Sequence, residues 1–214
     1  MKVFRKSLLA RDQGVTEFSA ILLRLCDASG ALAAALVDSE GETVDYAGRV
    51  EPFDVRVAAA ECRLLLGGLH ENASRLWPAP NSFIIRSGKH SISVHALSEG
   101  YAVVLVLPRH SFDVSARALS EASREIAREA GLTVDVPRGS LLWSRVEVRC
   151  VSRKTRRPAA IWQNGAFRPV LVLGRLERPI IGGRDRGYLI RLDTGAELLL
   201  VREPLGRWFA AAPL

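Results

Sequence analysis

Apolar positions change their spacing several times along this chain, and each change marks a new kind of element. Phe18, Ile21, Leu22 and Leu25 recur at i, i+3, i+4 and i+7, the stripe of an amphipathic helix, with Thr16 as its N-cap and Gly30 as its stop. The apolar run Ala31–Asp38 is too short for periodicity alone to separate strand from helix. The turn Ser39-Glu40-Gly41-Glu42 and the segment Thr43–Gly48 that follow make it one arm of a β-hairpin. Pro52 and Asp54 then open a helix expected from about Val55 to Trp77, with Val57, Ala60, Leu64 and Leu65, then Leu69, Ala73 and Leu76, at helical spacing. Gly67-Gly68 inside it predicts a kink, a break or a close backbone approach, because a mid-helix Gly costs about 1 kcal/mol relative to Ala. Pro78-Ala79-Pro80 is expected to end it.

Beyond that point the period is two. Ser82–Arg86, Ser91–Leu97 and Tyr101–Leu107 read as strands separated by Ser87-Gly88-Lys89 and Ser98-Glu99-Gly100. The third is apolar on both faces, which predicts a central strand. A last helix is expected from Ser111 or Asp113 to Gly131, its narrow apolar stripe made of Val114, Ala118, Ala122 and Ile126. The order α-β-β-α-β-β-β-α predicts an α/β domain: a five-stranded antiparallel sheet with helices on both faces.

From about Leu141 helical spacing disappears. Val146–Cys150, Ala159–Trp162, Val170–Leu173, Tyr188–Leu192, Glu197–Val201 and Trp208-Phe209 read as short strands, with turns at Gln163-Asn164-Gly165, Ile181-Gly182-Gly183 and Asp193-Thr194-Gly195. Five or six short strands in so short a segment predict a small all-β, barrel-like domain, with weak likeness to SH3-like and Tudor modules. The expected division is 1–137 and 138–214.

Charge sharpens that division. Residues 1–137 hold 15 Lys+Arg against 17 Asp+Glu, a net of −2, whereas residues 138–214 hold 15 against 6, a net of +9. The cluster Arg153, Lys154, Arg156 and Arg157, with Arg168, is the expected basic partner surface. Interleaved aromatics such as Trp162 and Phe167 make nucleic acid one candidate ligand, and an acidic protein face the other. No Walker loop, Gly-x-Ser-x-Gly elbow or zinc spacing occurs, and Cys26, Cys62 and Cys150 form no Cys-x-x-Cys pair. Asp38 and Glu40 read as a solvated turn, Cys62 as a core or interface thiol, and His90 and His95 as opposite-facing residues of one strand. The expectation is a protein that is no enzyme and uses no cofactor or metal. No apolar run approaches the ~18 residues of a membrane span, and the stretch before Arg11 and Asp12 is too short for a signal peptide, so a cytoplasmic protein is expected.

Between about Val15 and Ala130 the sequence resembles the Roadblock (dynein light chain) family. The residues that carry the likeness are Phe18-Ser19-Ala20-Ile21-Leu22, Gly30 to Leu36, the hairpin Val37-Asp38-Ser39-Glu40-Gly41-Glu42, the long Ala-rich second helix, and Gly100-Tyr101 before the last strand. The resemblance implies a homodimer or a Roadblock-type heterodimer in which second helices pair antiparallel and neighbouring strand edges join. The positions that would do so here are Val57, Ala60, Leu64, Gly67 and Gly68 on the helix, and Ser82, Phe83, Ile84, Ile85 and Arg86 on the strand. The sequence has its own reason for pairing: an edge strand as apolar as Phe83-Ile84-Ile85 invites aggregation unless covered. The resemblance further implies a small Ras-like GTPase as partner, activated or scaffolded. The alternative makes the basic barrel a nucleic-acid binder and the first domain a dimerisation handle.

Overall fold

The computed structural model describes residues 12–73, 79–133, 143–152, 154–176 and 186–211. The chain divides into two compact units, Met1–Arg109 with Ala118–Pro137, and His110–Arg117 with Arg138–Leu214.

The N-terminal unit starts with α1 (Glu17–Ser29). The Thr16 hydroxyl oxygen accepts the Ser19 N–H at 3.1 Å, and the Ser19 hydroxyl accepts the Thr16 N–H at 2.9 Å, a reciprocal cap on two otherwise unpaired donors. The Thr16 hydroxyl in turn donates to the carboxylate of Asp45, so the cap also anchors the helix to the sheet. Gly30, in the left-handed region, ends the helix by donating back to the Cys26 carbonyl.

The remaining elements are β1 (Ala33–Val37), β2 (Thr43–Gly48), α2 (Pro52–Glu71), β3 (Ser82–Arg86), β4 (His90–Ala96), β5 (Ala102–Pro108) and α3 (Ala116–Ala130). The strands form one antiparallel sheet in the order β2-β1-β5-β4-β3, with the doubly apolar β5 in the middle as its sequence requires. Alternation assigns the faces. Ala33, Ala35, Val37, Val94, Ala102, Val104 and Val106 pack with Val55, Ala59, Cys62 and Leu66 of α2. Their neighbours Ala34, Leu36, Val103 and Leu105 are buried on the opposite face, with Ile21, Leu22 and Leu25 of α1 and Leu119, Ala122 and Ile126 of α3. Arg24 of α1 and Glu125 of α3 form an ion pair on that side. Gly48 has φ +133°, and a Cβ there would overlap the Ala33 backbone, so only glycine fits where β2 ends.

Three expectations need correction. Helix α2 begins at Pro52 and stops at Glu71, with Asn72 as C-cap, rather than running to Trp77; Leu76, Trp77 and Pro78 lie outside the described residues. Gly67-Gly68 neither kinks nor breaks it: the helix continues through both, and among the described residues a Cβ at Gly68 would meet nothing within 4 Å. Helix α3 begins at Ala116, not at Ser111 or Asp113, so Val114 is buried ahead of the helix and Leu119 takes the inward position. The reason is tertiary: the segment before α3 is held in the C-terminal unit, where the Ala116 N–H donates to the Trp143 carbonyl at 2.8 Å.

The C-terminal unit contains β6 (Ser144–Val146), β7 (Val148–Cys150), β8 (Pro158–Gln163), β9 (Ala166–Arg175), β10 (Arg186–Leu192), β11 (Glu197–Arg202) and β12 (Trp208–Ala211). The segment expected as one strand, Val146–Cys150, is two, because Glu147 lies between β6 and β7. Those strands are the two outermost in the antiparallel order β6-β12-β11-β10-β9-β8-β7. Strands one residue apart in sequence cannot be far apart in space, so the sheet curls until its ends meet, and the result is a nearly closed barrel. Ile161, Tyr188, Ile190, Leu200, Trp208 and Ala210 fill it. On the wall side of β11 and β12, Phe112 and Trp143 pack with Val201, Phe209 and Ala211 as a second small core.

Candidate functional site

Helix α2 has two apolar stripes, and its own sheet uses one. Pro52, Val55, Ala59, Cys62 and Leu66 are buried. Phe53, Val57, Ala60 and Leu64, continuing to Gly67 and Gly68, form a second stripe at helical spacing. There Phe53 is 65% exposed and Leu64 68% exposed, with Leu65 at 53% beside them. Strand β3 pairs with β4 and, among the described residues, with nothing on its other side. Register puts Phe83 and Ile85 opposite Val94 and Ile92, on the face that α2 covers elsewhere. Ile85 is 37% exposed, Phe83 and Ile84 are half-buried, and Ser82 and Arg86 are exposed. The structure thus places the sequence-derived helix positions on one outward face, and the strand positions along one edge. Phe53 belongs with them; the sequence reading stopped short of it because it began the helix at Val55.

Arg63 holds this helix to two turns. Its Nε donates to the Asp38 carbonyl at 3.2 Å and to the Gly100 carbonyl at 2.9 Å, so one guanidinium fixes both the β1–β2 hairpin and the turn before β5. Gly100 has φ +82°, and a Cβ there would lie 2.8 Å from that of Ser39. Asp38 accepts the Glu40 and Glu42 N–H groups, each at 2.9 Å, which makes it the organiser of the hairpin. Arg63 escaped notice because its partners are backbone carbonyls distant in sequence, which no motif advertises.

The reactive-looking groups of this unit are muted by burial. The Ser93 hydroxyl and His95 Nε2 are 2.7 Å apart, the spacing of a nucleophile and its base. Ser93 is wholly buried, however, and burial pushes the His95 imidazole down to about 4, which holds it neutral. Burial likewise raises the Cys26 thiol to about 12 and the Cys62 thiol to about 11, away from the thiolate form. Among the described residues no group of three or more His, Cys, Asp or Glu side chains could hold a metal. No described helix is long and apolar enough to cross a membrane.

In the C-terminal unit the strand directions sort the charges between the two ends of the barrel. At one end, the β8–β9 and β10–β11 turns bring Arg168 to Asp193 at 3.7 Å and Arg191 to Glu197 at 2.7 Å. At the other end emerge the β7–β8 loop with Lys154, Arg156 and Arg157, the last residue of β9, Arg175, the first of β10, Arg186, and the last of β11, Arg202. Arg168 therefore lies apart from the cluster it was grouped with, and Arg153 lies outside the described residues. The aromatics do not interleave with these cations. Trp143, Tyr188, Trp208 and Phe209 are buried, while Trp162 and Phe167 pack edge to face at 5.0 Å beside the β8–β9 turn, under the Arg149 guanidinium.

The fully buried Glu203 was missed as well. It accepts the Phe112 N–H at 2.7 Å and pairs with Arg207, which also donates to the Ser111 hydroxyl at 3.2 Å. In sequence the i, i+4 spacing looks like a helix pair; in the structure it crosses the β11–β12 hairpin and fastens the segment His110–Arg117 to the barrel.

No protein-family model matches the chain, and no curated protein sequence does. Solved structures do. Myxococcus xanthus MglB is 20% identical over 56% of this chain and 98% of its own, with a TM-score of 0.46. The gliding protein MglB from Thermus thermophilus is 18% identical over 58% of this chain and 96% of its own, with a TM-score of 0.48. A Roadblock/LC7 domain from Streptomyces avermitilis is 15% identical over 54% of this chain and 98% of its own, with a TM-score of 0.40. With its α-β-β-α-β-β-β-α order, its five-stranded antiparallel sheet and its helices on both faces, the N-terminal unit has the arrangement that the sequence resemblance implies, and it is similar to Roadblock-type domains.

Proposed function

We propose that this chain is a non-enzymatic regulator or scaffold. Its N-terminal unit self-associates and holds a small Ras-like GTPase, while its basic barrel recruits a second partner. The observation that carries the reading is the second apolar stripe of α2, Phe53, Val57, Ala60 and Leu64, together with the edge of β3 that has no strand beside it among the described residues. An exposed stripe on a helix and an exposed apolar edge cost solubility unless a partner covers them. A second copy satisfies both at once, helix against helix and edge against edge, and the glycines at 67 and 68 let the backbones approach. The GTPase half follows from the Roadblock resemblance of the sequence, and any effect on GTP hydrolysis would come from ordering the switch loops of the GTPase.

The test is solution mass by light scattering, on the full chain and on Leu64→Arg. A dimer that the substitution reduces to a monomer supports the reading, and a monomeric parent chain overturns its self-association. Purified small Ras-like GTPases loaded with GDP or a GTP analogue then test the second half. Capture that depends on the nucleotide is expected, and the absence of any capture sinks the GTPase assignment.

A further inference from the structure

The outer wall of the barrel carries an apolar band that stands in solvent. On β9, Val170 and Val172 pack against the core, so alternation turns Phe167, Pro169 and Leu171 outward. Leu171 is 60% exposed, and Leu173 further along the strand is exposed as well. On β8 the buried Ile161 turns its neighbour Trp162 outward. Trp162 is 45% exposed and lies across the strands from Phe167, edge to face. At ~3.3 Å per residue, the stretch from Phe167 to Leu173 runs about 20 Å along one strand. A continuous exposed apolar row of this kind marks a contact surface. Its borders are cationic: the Arg149 guanidinium lies 3.8 Å from the centre of the Phe167 ring, and Arg168 and Arg175 are exposed on β9 itself.

Shape and charge narrow what can cover this band. The outside of a barrel is convex, so the band is a crest and not a groove. A crest cannot enclose a peptide, but a flat surface can meet it along its length. The 15 Lys+Arg of residues 138–214 outnumber the 6 Asp+Glu of that segment wherever those acids lie. A second copy of the same wall is therefore repelled, and an anionic surface is attracted. Tryptophan and arginine are also side chains that rest at a boundary between oil and water, with the apolar part in one layer and the polar tip in the other.

We propose that the wall formed by Trp162, Phe167, Pro169, Leu171 and Leu173 is a docking surface for an anionic lipid bilayer. The aromatic and leucine side chains enter the headgroup layer, and the neighbouring arginines meet the lipid phosphates. The proposal rests on the recruiting role given to the barrel above and names its partner. It is independent of self-association by α2 and β3.

The experiment mixes the full chain at low salt with vesicles of phosphatidylcholine and phosphatidylglycerol, or of phosphatidylcholine alone, and reads the bound fraction by co-sedimentation. The mixed, anionic vesicles are expected to bind the chain, and the neutral ones to bind it at least about tenfold more weakly. The double variant Leu171→Gln, Leu173→Gln keeps the net charge and is expected to weaken anionic binding at least about tenfold. Its melting temperature should match the parent's, because both leucines are exposed. If the pair melts lower, Leu171→Gln alone carries the same test. The double variant Val15→Gln, Val44→Gln removes two exposed valines of the N-terminal unit and should leave binding intact. The proposal is overturned by absence of binding to anionic vesicles, by equal binding to neutral ones, by full binding of the leucine variants, or by equal weakening in the valine variant. Polyglutamate and a single-stranded DNA oligonucleotide are titrated alongside. A chain that ignores vesicles but binds either polymer overturns lipid docking and leaves the recruiting role of the barrel standing, whereas a chain that binds none of them overturns both. Light scattering on the same samples reports self-association separately.

Discussion

On α2, Phe53, Val57 and Leu64 stand in solvent, and no described strand lies beside the outer edge of β3, whereas at one end of the barrel Arg186 and Arg202 are cross-strand partners and the loop with Lys154, Arg156 and Arg157 emerges beside them. The first surface is apolar and shaped by a regular helix and strand. The second is charged and shaped by strand ends. Apolar burial is indifferent to salt at moderate concentration, but attraction between exposed charges is screened within about 8 Å at physiological ionic strength. Contacts made through the two surfaces should therefore differ in how they respond to salt.

The largest effect should come from Glu203. The described buried charge of the C-terminal unit is paired, so Glu203→Ala, which takes the carboxylate from Arg207 and the acceptor from the Phe112 N–H, is expected to destabilise by about 3–5 kcal/mol in urea unfolding. A cost below about 1 kcal/mol would break the contrast between paired interior charge and the charge at the basic end of the barrel.

Next is the pH dependence of the N-terminal unit. His95 has its pKa lowered from 6.5 to about 4 by burial, so between those values the unfolded chain binds a proton that the folded chain does not. Stability should be complete above about pH 6.5 and fall as pH drops towards 4, by up to about 3 kcal/mol, and His95→Gln should flatten that slope. An unchanged slope in the variant would place the acid sensitivity elsewhere.

Leu64→Arg should weaken self-association at least about 100-fold, near 2.7 kcal/mol, as read by light scattering over a dilution series. Raising sodium chloride tenfold sharpens the comparison further: the dimer mass should hold, while any partner held by the basic end of the barrel should be released. A dimer that salt dissociates would mean that the two surfaces are not chemically distinct. The smallest effect is expected at Thr16, where Thr16→Ala removes the α1 cap and should cost about 1 kcal/mol in thermal or urea unfolding.

The order and kind of elements in the N-terminal unit could be read from spacing alone, because each strand alternates and each helix repeats with its own period. The sides could not be assigned so easily. On α2 the inward stripe is Val55, Ala59, Cys62 and Leu66, and the outward one carries larger apolar groups, so hydrophobicity does not tell which stripe meets the sheet. The small side chains face in because β1, itself mostly alanine, brings the helix close. The start of α3 was obscured for another reason: Ser111 and Asp113 are sound capping residues locally, but Phe112 is held by Trp143 and Phe209, with ring centroids 5.0 Å and 5.3 Å away. In the C-terminal unit the number and rough places of the strands were legible from turn chemistry. The separation of Arg168 from Arg156 and Arg157 was not, since it follows from β9 running ten residues from one end of the barrel to the other.

The bond between the Phe112 N–H and Glu203 also spans time. Its partners are 91 residues apart in the chain, so during synthesis the first emerges long before the second exists. At ~5–20 residues per second the interval is about 5–20 s. For that period Phe112 lacks both its buried acceptor and the ring of Phe209. A nascent chain of this protein thus carries an unshielded aromatic segment until the β11–β12 hairpin is made, which makes the interval between the two segments the one in which a holding chaperone would matter most.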